Sequence, residues 1–345
     1  MVTELPIELD QENMKGAIQS FPSHLRETQT IMESWQPMHS YSDIRQVMVL
    51  GMGGSAIGGD VVRVLVQNEC KIPIMVNRSY NIPAWVDRHT LVIASSYSGG
   101  TEETLSAFSQ CEERNCPTLI ISTGGELTEI ARKKNYDVVS LPKGLQPRAA
   151  LGYSFYSLLL VLQKTGHISD AIPTMVENSI PEIESMSKEL TQSQNEALTM
   201  AGKIHHTIPF VYGSEDLTWV AALRFRGQLA ENAKMLSTHH HFPEQNHNEI
   251  EGWTCNPHIL EHSSVVWLRD EEDHPGIQKR MDISEELLSK ATTIQLSISQ
   301  SGNNRVERLL SLIHFTDWVS YYCALLNHID PTPVDRIQDL KARIA

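Results

Sequence analysis

Short runs of apolar residues alternate with longer amphipathic stretches over most of the chain after residue 45. The short runs are rich in Val and Ile and have the length of buried strands, whereas apolar residues in the longer stretches recur at helical spacing. In the first half, the pattern predicts strands at 46–50, 72–77, 90–96, 117–122 and 137–141. It predicts helices at 55–67, 101–113, 126–134 and 147–164.

A second alternation of the same kind begins after residue 205. It predicts strands at 208–214, 264–270 and 292–298, and helices at 217–236, 275–289 and 303–326. In both halves an apolar strand runs through a glycine turn into a helix, VMVLGMGGS in the first and PFVYGS in the second, which suggests a duplicated unit. Strands that alternate with helices predict an α/β fold, in which each half is a parallel sheet flanked by helices.

The 345 residues exceed the size at which a single hydrophobic core usually stops growing, so we expect two domains. Residues 1–45 are polar with scattered apolar positions and predict surface helices ahead of the first sheet. The mixed, proline-containing stretch at 166–195 is the expected crossover. We therefore predict a first domain at 1–165, with the N-terminal helices, and a second at 166–345, with a C-terminal helix.

Acidic residues outnumber basic ones, 42 Asp+Glu against 28 Lys+Arg, and the formal net charge is −14. A nucleic acid or an anionic membrane binds to a basic surface, so neither partner is expected. The same net charge repels phosphate. Any phosphate that this protein binds must therefore be held by hydrogen-bond donors close to it.

The five cysteines are scattered and form no C-x-x-C pair. Zinc ribbons and dithiol redox motifs are therefore not expected, and free thiols are typical of the reducing cytoplasm. The N-terminus is acidic and lacks the apolar core of a signal peptide, and no apolar run reaches the length of a membrane span. These observations predict a cytoplasmic protein.

The sequence GMGGSAIGGD, at 51–60, forms the first strand-to-helix turn. Glycines allow backbone N–H groups to approach an anion, to which the helix N-terminus adds partial positive charge. The string also contains the loose dinucleotide pattern G-x-G-x-x-A, which requires an acidic residue at the end of the second strand. Asn77 and Arg78 stand there, so NAD is disfavoured, whereas Arg78 leaves NADP as an alternative. A tight structural turn is the other explanation.

A second turn of this type, SSYSGGTEET at 95–104, follows the third predicted strand. Ser96, Ser98 and Thr101 offer hydroxyl groups, and the N–H groups of Gly99 and Gly100 lie between them. Such a turn can hold a phosphate monoester without a cationic side chain, which satisfies the constraint set by the net charge. Simple helix capping is the alternative, because two glutamates in the next helical turn favour the helix dipole.

Three further side chains are candidates for the chemistry, and each has a structural alternative. Arg148, in QPRAALGY, is a cation at a helix start, and a surface salt bridge would also explain it. Glu231 lies late on a predicted helix. If it is partly desolvated, its carboxylate can act as a general base; the alternative is a solvated carboxylate on the helix surface. His247 lies in a polar loop, where an exposed histidine is the ordinary case.

The C-terminal segment DPTPVDRIQDLKARIA, at 330–345, predicts a helix whose apolar residues share one face. Lys341, near its end, either joins a site or is an exposed cation that complements the helix dipole. The three adjacent histidines at 239–241 suggest a metal, but they cannot all face one ion without a special turn. A solvated loop without metal is expected there.

Taken in order, the motifs GMGGS…GGD, SYSGGTEET, QPRAALGY, ENAK…PE…HNE and PV..I..LK resemble those of the bifunctional phosphoglucose/phosphomannose isomerases, in the sugar-isomerase (SIS) superfamily. The resemblance extends from about Gln46 to the C-terminus. It implies two SIS domains, each a parallel sheet flanked by helices, and usually a homodimer with shared active sites. It also implies interconversion of glucose 6-phosphate, mannose 6-phosphate and fructose 6-phosphate without a metal or an organic cofactor.

The resemblance also assigns binding roles to residues of the two glycine turns. It implies that Ser96, Ser98 and Thr101 hold the phosphate group of the substrate. It places Gly54 and Ser55 near the sugar.

The remaining candidates receive roles in the reaction itself. The resemblance implies that Arg148 stabilises charge on the reacting oxygens and that Glu231 carries a proton between C2 and C1 through a cis-enediol(ate). His247, from the neighbouring subunit, would assist ring opening. Lys341 would help ring opening or stabilise the intermediate.

The sequence departs from the family pattern at several positions. The family places a threonine near the C-terminal lysine to tolerate both C2 epimers; Thr332 is a candidate for it, although Val334 stands two helical turns before that lysine. Ala56 and Gly100 stand where glycine and asparagine are more usual. Both are small changes, and neither removes a hydroxyl of the second turn.

Three other classes of function remain open. A sugar-phosphate sensor without turnover would carry a basic DNA-binding domain, and residues 1–45 are too few and not basic. An aminosugar-phosphate isomerase of the amidotransferase type would carry an N-terminal glutaminase domain with a nucleophilic cysteine. An NADP-dependent reductase rests only on GMGGSA and Arg78.

Overall fold

The computed structural model describes residues 5–292 and 294–344, which form two compact units. The first unit is formed by residues 20–181, and the second by residues 182 onward with the N-terminal residues up to Gln19. Residues 1–4 of the acidic N-terminus, Thr293 in the predicted strand 292–298 and the final Ala345 lie outside the described residues. The domain boundary after residue 165 remains a prediction.

The first unit is a parallel sheet with helices between its strands. It is preceded by a 3-10 turn, Ile7–Leu9, and by α1 (Met14–Gln19). Its elements in chain order are α2 (Phe21–Ser34), β1 (Gln46–Leu50), α3 (Gly53–Val66), β2 (Ile74–Asn77), β3 (Thr90–Ser95), α4 (Glu102–Glu113), β4 (Thr118–Ser122), α5 (Gly125–Lys134), β5 (Asp137–Ser140) and α6 (Leu151–Lys164). All strand pairs are parallel, in the order β2-β1-β3-β4-β5.

The central strands of this sheet are mostly apolar because helices cover both of its faces. Every residue of β3 and β4 is buried, and so is β1 beyond its first residue. Helix α6, which is buried over nearly its whole length, packs against α2 and α3. The apolar runs therefore form the strands that the sequence predicted.

The second unit repeats this architecture with fewer strands. Its elements, beginning with the helix in which the two units divide, are α7 (Ala171–Leu190), α8 (Glu196–Ile204), β6 (Ile208–Ser214), α9 (Trp219–Glu231), β7 (Thr238–Phe242), α10 (Pro257–Leu260), β8 (Ser263–Leu268), α11 (Pro275–Leu288), β9 (Gln295–Ile298), α12 (Arg305–Leu326) and α13 (Asp335–Ile344). All strands are parallel, in the order β7-β6-β8-β9.

The two sheets share one pattern of crossovers. In each, the first strand in sequence is flanked by the second and the third, and the fourth lies beyond the third. Strands β1 and β6, whose sequences VMVLGMGGS and PFVYGS looked alike, occupy the same place in their sheets. This correspondence supports a duplicated unit, and the expected α/β class with two parallel sheets flanked by helices is confirmed.

Two local predictions were wrong. The helix predicted at 217–236 ends at Glu231, because Lys234 takes the left-handed conformation with φ +54°. The three histidines lie on strand β7 and not in a solvated loop, because their backbone pairs with β6 in parallel register. The stretch 166–195, which was expected to be the crossover, consists mostly of a long helix, α7.

Helix α12 is the central element of the second unit. It packs against α8 and α9, and nearly all of its residues are buried. By length and composition it could cross a membrane, but 94% of its most apolar stretch is buried within the protein, as is typical of a core helix. Its burial among other helices explains its apolar sequence.

A polar ladder fixes α9 to α12 inside this core. The guanidinium of Arg224 donates to Asp317 at 2.9 and 2.6 Å, and Gln228 donates to the same carboxylate at 3.0 Å. One turn further on, the amide of Asn232 donates to the Ser320 hydroxyl at 2.9 Å. Burial raises the pKa of Asp317, and the hydrogen-bonded guanidinium opposes that rise. The ladder therefore sets the position of the C-terminal end of α9.

Replacing Asp317 by Ala should lower the free energy of unfolding by about 3–5 kcal/mol, because it leaves the Arg224 charge buried without its carboxylate. Urea denaturation followed by circular dichroism measures the loss. The matched control is Asp339→Ala, which removes an exposed pair with Arg343 and should cost under about 1 kcal/mol. The double variant Arg224→Met with Asp317→Leu should recover most of the stability; equal losses in all three variants would contradict the interpretation.

Candidate active site

The two glycine-rich turns of the first unit meet at one edge of its sheet. They follow β1 and β3, which are neighbours although β2 lies between them in sequence. The connection that follows β1 leads to one side of it, and the connection to β3 leads to the other side. A crevice therefore forms between the carboxyl ends of β1 and β3. The turns approach closely, since a Cβ on Gly51 would lie 2.9 Å from the carbonyl oxygen of Ser95. The sheet order thus brings both predicted motifs together.

The first turn lies against the 3-10 turn Pro147–Ala149. Helix α3 begins at Gly53, whose φ is +48°, and Ser55 in its first turn is buried. Gly54 permits the close approach, since a Cβ there would lie 2.5 Å from the Pro147 carbonyl oxygen. The contact also brings the backbone of Arg148 beside Gly54.

Arg148 is buried, with only 3% of its surface exposed. Its interpretation as a surface salt bridge is therefore wrong. A buried guanidinium is suited to hold an anion or a developing negative charge, because its donors are fixed in a planar fork. The structure brings the backbone of this residue beside the first turn.

The second turn presents its hydroxyl groups and amides together. The hydroxyls of Ser96 and Thr101 are hydrogen-bonded to each other at 2.9 Å. The N–H of Gly99 donates to the Ser96 hydroxyl at 3.1 Å, and that of Gly100 to the Ser98 hydroxyl at 3.4 Å. Thr101 is the N-cap of α4, yet its side chain makes no capping hydrogen bond. The hydroxyls are thus gathered at a helix N-terminus, which is the arrangement of a phosphate-binding turn.

A third glycine turn, between β4 and α5, packs against the turn after β3 and was not predicted from the sequence. Gly99 has φ +71°, and a Cβ there would lie 1.8 Å from the carbonyl oxygen of Gly124. A Cβ on Gly125 would lie 2.4 Å from the Ser98 carbonyl oxygen. The N–H of Leu127 donates to the Gly99 carbonyl at 2.9 Å. The string STGGE at 122–126 was the available signal, because it repeats the glycine pair after a strand.

The alternative NADP site is disfavoured by the partner of Arg78. Its guanidinium is hydrogen-bonded to the carboxylate of Asp60, a buried residue of α3. Burial raises the pKa of Asp60, and the charge of Arg78 opposes the rise. The arginine thus compensates a buried carboxylate, which is a structural role.

The corresponding turn of the second unit is acidic. Strand β8 corresponds to β3, and the sequence that follows it is RDEED, at 269–273. Arg308 on α12 binds three of these carboxylates, with shortest distances of 2.7 Å to Asp270 and 3.0 Å to Glu271 and Glu272. Carboxylates repel phosphate, so of the two corresponding turns only that of the first unit is suited to an anion.

The second unit places Glu231 in the lining of a cavity of about 850 Å³. Glu231 is half-buried and is the last residue of α9, whose position is set by the ladder to α12. The cavity lies between the end of α9 and the start of α13. Its lining consists of Ala230, Glu231, Lys234, Met235, Leu236, Pro333, Val334, Asp335, Arg336 and Ile337. Thr332 is buried and is not among them, whereas Val334 is.

Lys341 and His247 lie outside the lining of this cavity. Lys341 is exposed on α13, four residues after Ile337 and seven after Val334, so it shares the helix face that lines the cavity. His247 is exposed at the end of a 3-10 turn, Glu244–His247. The second unit thus brings together Glu231 and the α13 face that carries Lys341, and places His247 elsewhere.

The three histidines do not form a cluster for one ion. They occupy successive positions of β7, and the rings of His240 and His241 pack edge to face with their centroids 5.1 Å apart. Burial and the charge of Arg226 lower the pKa of His239 to about 4, and His241 lies 3.2 Å from Glu215. Over residues 5–292 and 294–344, no three His, Cys, Asp or Glu side chains are grouped as metal ligands.

Comparison with known proteins gives similarity over nearly the whole chain. Residues 193–344 match the family described as bacterial phospho-glucose isomerase C-terminal SIS domain. The bifunctional phosphoglucose/phosphomannose isomerase of Caldicellulosiruptor bescii is 40% identical over 336 residues, which cover 96% of this chain and 99% of that protein. The D-glucosamine-6-phosphate 4-epimerase of Sulfolobus acidocaldarius is 33% identical over 207 residues, 60% of this chain and 63% of that protein.

Solved structures support the fold. The C-terminal domain of glucosamine-fructose-6-phosphate aminotransferase from Francisella tularensis superimposes with a TM-score of 0.70 at 13% identity, covering 92% of this chain and 97% of that one. The full-length similarity, the matched SIS domain and the two parallel sheets agree with the motifs in the sequence. The chain belongs to the family of the bifunctional phosphoglucose/phosphomannose isomerases.

Proposed function

We propose that this protein interconverts glucose 6-phosphate and mannose 6-phosphate with fructose 6-phosphate. The observation that carries the proposal is the turn after β3, where hydroxyls and backbone amides are gathered at a helix N-terminus in a chain of net charge −14. Such a turn suits a phosphate monoester and needs no cation. The family relationship supplies the class of substrate.

In the proposed mechanism the first unit binds the phosphate. Ser96, Ser98 and Thr101 turn their hydroxyl hydrogens towards the phosphate oxygens, and the start of α4 adds its partial positive charge. Gly54 and Ser55, at the start of α3, lie near the sugar. Because these groups bind the substrate before and during the reaction alike, they contribute mainly to affinity.

Glu231 carries out the proton transfer. Its carboxylate removes the proton from C2 of the open-chain aldose and returns it to C1, while the hydroxyl proton at O2 moves to O1. One carbon is oxidised and its neighbour reduced, so no external electron acceptor is needed. The intermediate is a cis-enediol(ate), and the Arg148 guanidinium stabilises the negative charge on its oxygens. Glucose and mannose 6-phosphate differ only at C2 and yield the same enediol, which explains a double activity.

His247 and Lys341 act at the ring-opening stage. A sugar phosphate is mostly cyclic in water, so a proton must leave the anomeric hydroxyl and another must reach the ring oxygen. An exposed imidazole and an exposed ammonium are suited to these transfers when a second chain covers them. We propose that the protein is a cytoplasmic homodimer in which His247 serves the active site of the neighbouring subunit.

A second candidate function is epimerisation of an aminosugar phosphate. It is favoured by the relative named D-glucosamine-6-phosphate 4-epimerase, which matches 60% of this chain. A third, phosphosugar binding without turnover, is disfavoured because a sensor has no use for the Glu231 carboxylate in the lining of the cavity. Activity assays with the corresponding sugar phosphates distinguish the three candidate functions.

The purified protein should convert both glucose 6-phosphate and mannose 6-phosphate to fructose 6-phosphate without added cofactor and in the presence of EDTA. Coupled assays with each substrate measure the rates, with glucosamine 6-phosphate as a third arm. Glu231→Gln should lower kcat by about 10²–10⁴-fold while substrate still binds, because it removes the proton carrier. The matched control is Glu189→Gln, an exposed carboxylate of α7. Activity on glucosamine 6-phosphate alone would favour the epimerase, and binding without turnover would favour the sensor.

The double variant Ser98→Ala with Thr101→Ala removes two hydrogen bonds to the phosphate and should raise KM about 10²- to 10⁴-fold, with kcat nearly unchanged. Hydrogen bonds to a charged group contribute about 1.5–3 kcal/mol each, and every 1.4 kcal/mol is tenfold in affinity. Steady-state kinetics with both substrates measure the change. Ser106→Ala on α4, whose hydroxyl donates to the Tyr80 carbonyl, is the control and should behave as wild type. A fall in kcat with KM intact would argue against a phosphate-binding role.

Mixing two inactive variants tests the shared active site. Glu231→Gln and His247→Ala should each be impaired when pure. Denatured together and refolded, they should regain about a quarter of the wild-type activity, since half of the dimers are mixed and each mixed dimer has one intact site of two. No recovery, although mixed dimers are verified by native mass spectrometry, would place both residues in the same subunit's site.

A further inference from the structure

Lys234 makes an unusual set of contacts for an exposed lysine. It follows the C-terminus of α9 and adopts the left-handed conformation, φ +54°. Its ammonium lies 2.9 Å from the carbonyl oxygen of Glu231 and 3.2 Å from that of Asn232. It lies 2.9 Å from the carbonyl oxygen of Asp330 and 3.3 Å from that of Pro331. Four main-chain oxygens from two segments thus surround one cation.

The two segments are distant in sequence and have different origins. Glu231 and Asn232 end α9, where carbonyl groups lack partners within the helix and carry partial negative charge. Asp330 and Pro331 belong to the turn that precedes α13. An ammonium group stabilises both sets of carbonyls at once, because it has three donors and a positive charge. Lys234 is therefore a non-covalent bridge between the end of α9 and the start of α13.

The bridge belongs to the lining of the cavity that the proposed proton carrier also lines. Glu231 and Lys234 line this cavity from the side of α9, and Val334 and Ile337 line it from the side of α13. Lys341 follows on the same face of α13, one turn beyond Ile337. In the described part of the chain, α13 has no buried residues, so its own core contacts do little to hold it in place.

We infer that Lys234 is a positioning residue that holds α13, and with it Lys341, at a fixed distance from Glu231. This inference rests on the proposed function, because it assigns Lys234 a role in the same reaction. The lysine acts through the backbone and does not touch the substrate. A displacement of about 1 Å between reacting groups can cost about 10²-fold in rate, so loss of the bridge should affect turnover more than binding.

The left-handed backbone of Lys234 permits a test that separates its conformation from its charge. Lys234→Gly removes the ammonium. It also removes the strain of the left-handed backbone, because glycine adopts that conformation freely. Lys234→Met keeps a side chain of nearly the same length and removes the ammonium, with its charge and its hydrogen-bond donors. Lys203→Met, on an exposed position of α8, removes an equal charge from the same unit and serves as the control.

Both Lys234 variants should lower kcat about 10- to 100-fold, while KM and inhibition by inorganic phosphate stay within about twofold of wild type. Hydrogen exchange should become faster in the amides of 333–344 and not in the turn after β3. The control should match wild type. The thermal unfolding midpoint of Lys234→Gly should stay close to that of wild type, which excludes a general loss of structure.

A wild-type kcat in Lys234→Gly would overturn the inference, and so would a uniform increase in hydrogen exchange throughout the second unit. Glu231→Gln, measured beside these variants, distinguishes the two proposals. If that variant is inactive and the Lys234 variants are fully active, only the bridge is refuted. If Glu231→Gln is itself fully active, the proposed mechanism fails first.

Discussion

Binding of an anion by an acidic chain is the constraint on which this structure depends. At a formal charge of −14 the protein cannot attract phosphate through its overall field. The hydrogen-bond donors must instead lie close to the phosphate and point towards it. A parallel sheet provides such a position at the carboxyl ends of two neighbouring strands whose connections run to opposite sides. In the proposed site, the hydroxyls after β3, the amides of its two glycines and the start of α4 are the neutral groups that would meet this requirement.

The duplicated sheet shows how one architecture supports two different turns. The first four strands of both sheets have the same order, and each sheet has a glycine at the carboxyl end of its first strand, with Gly51 directly after β1 and Gly213 next to the last residue of β6. The turn after the third strand differs, however, with serines and glycines in the first unit and carboxylates bound to Arg308 in the second. The repeated fold thus does not repeat the site, because the side chains of these turns determine the charge that each can accept.

The second unit uses its interior to position a residue near its surface. The buried ladder between α9 and α12 fixes the helix that ends at Glu231, and Lys234 links that end to the segment before α13. Neither device contributes a group to the proposed chemistry. Each limits the movement of the residues proposed to take part in the reaction, and this restriction is what preorganisation means physically.

The sequence by itself determined the repeating elements and the types of chemistry available. Strand and helix periodicities are local properties, so the strands of both sheets were predicted within a few residues, apart from β7. Its three histidines have no apolar alternation, and its strand character comes from backbone pairing with β6. The serine- and glycine-rich turn after β3 was likewise predicted, because its hydroxyls, amides and helix start are contiguous in the chain.

Only the tertiary structure decided which of these groups meet. The closeness of the β1 and β3 turns follows from strand order, the burial of Arg148 from packing beside Gly54, and the partner of Arg78 from a buried carboxylate on α3. The bridge made by Lys234 joins segments almost a hundred residues apart. Such relations depend on contacts between distant parts of the chain, and the periodicity of a single sequence carries no record of them.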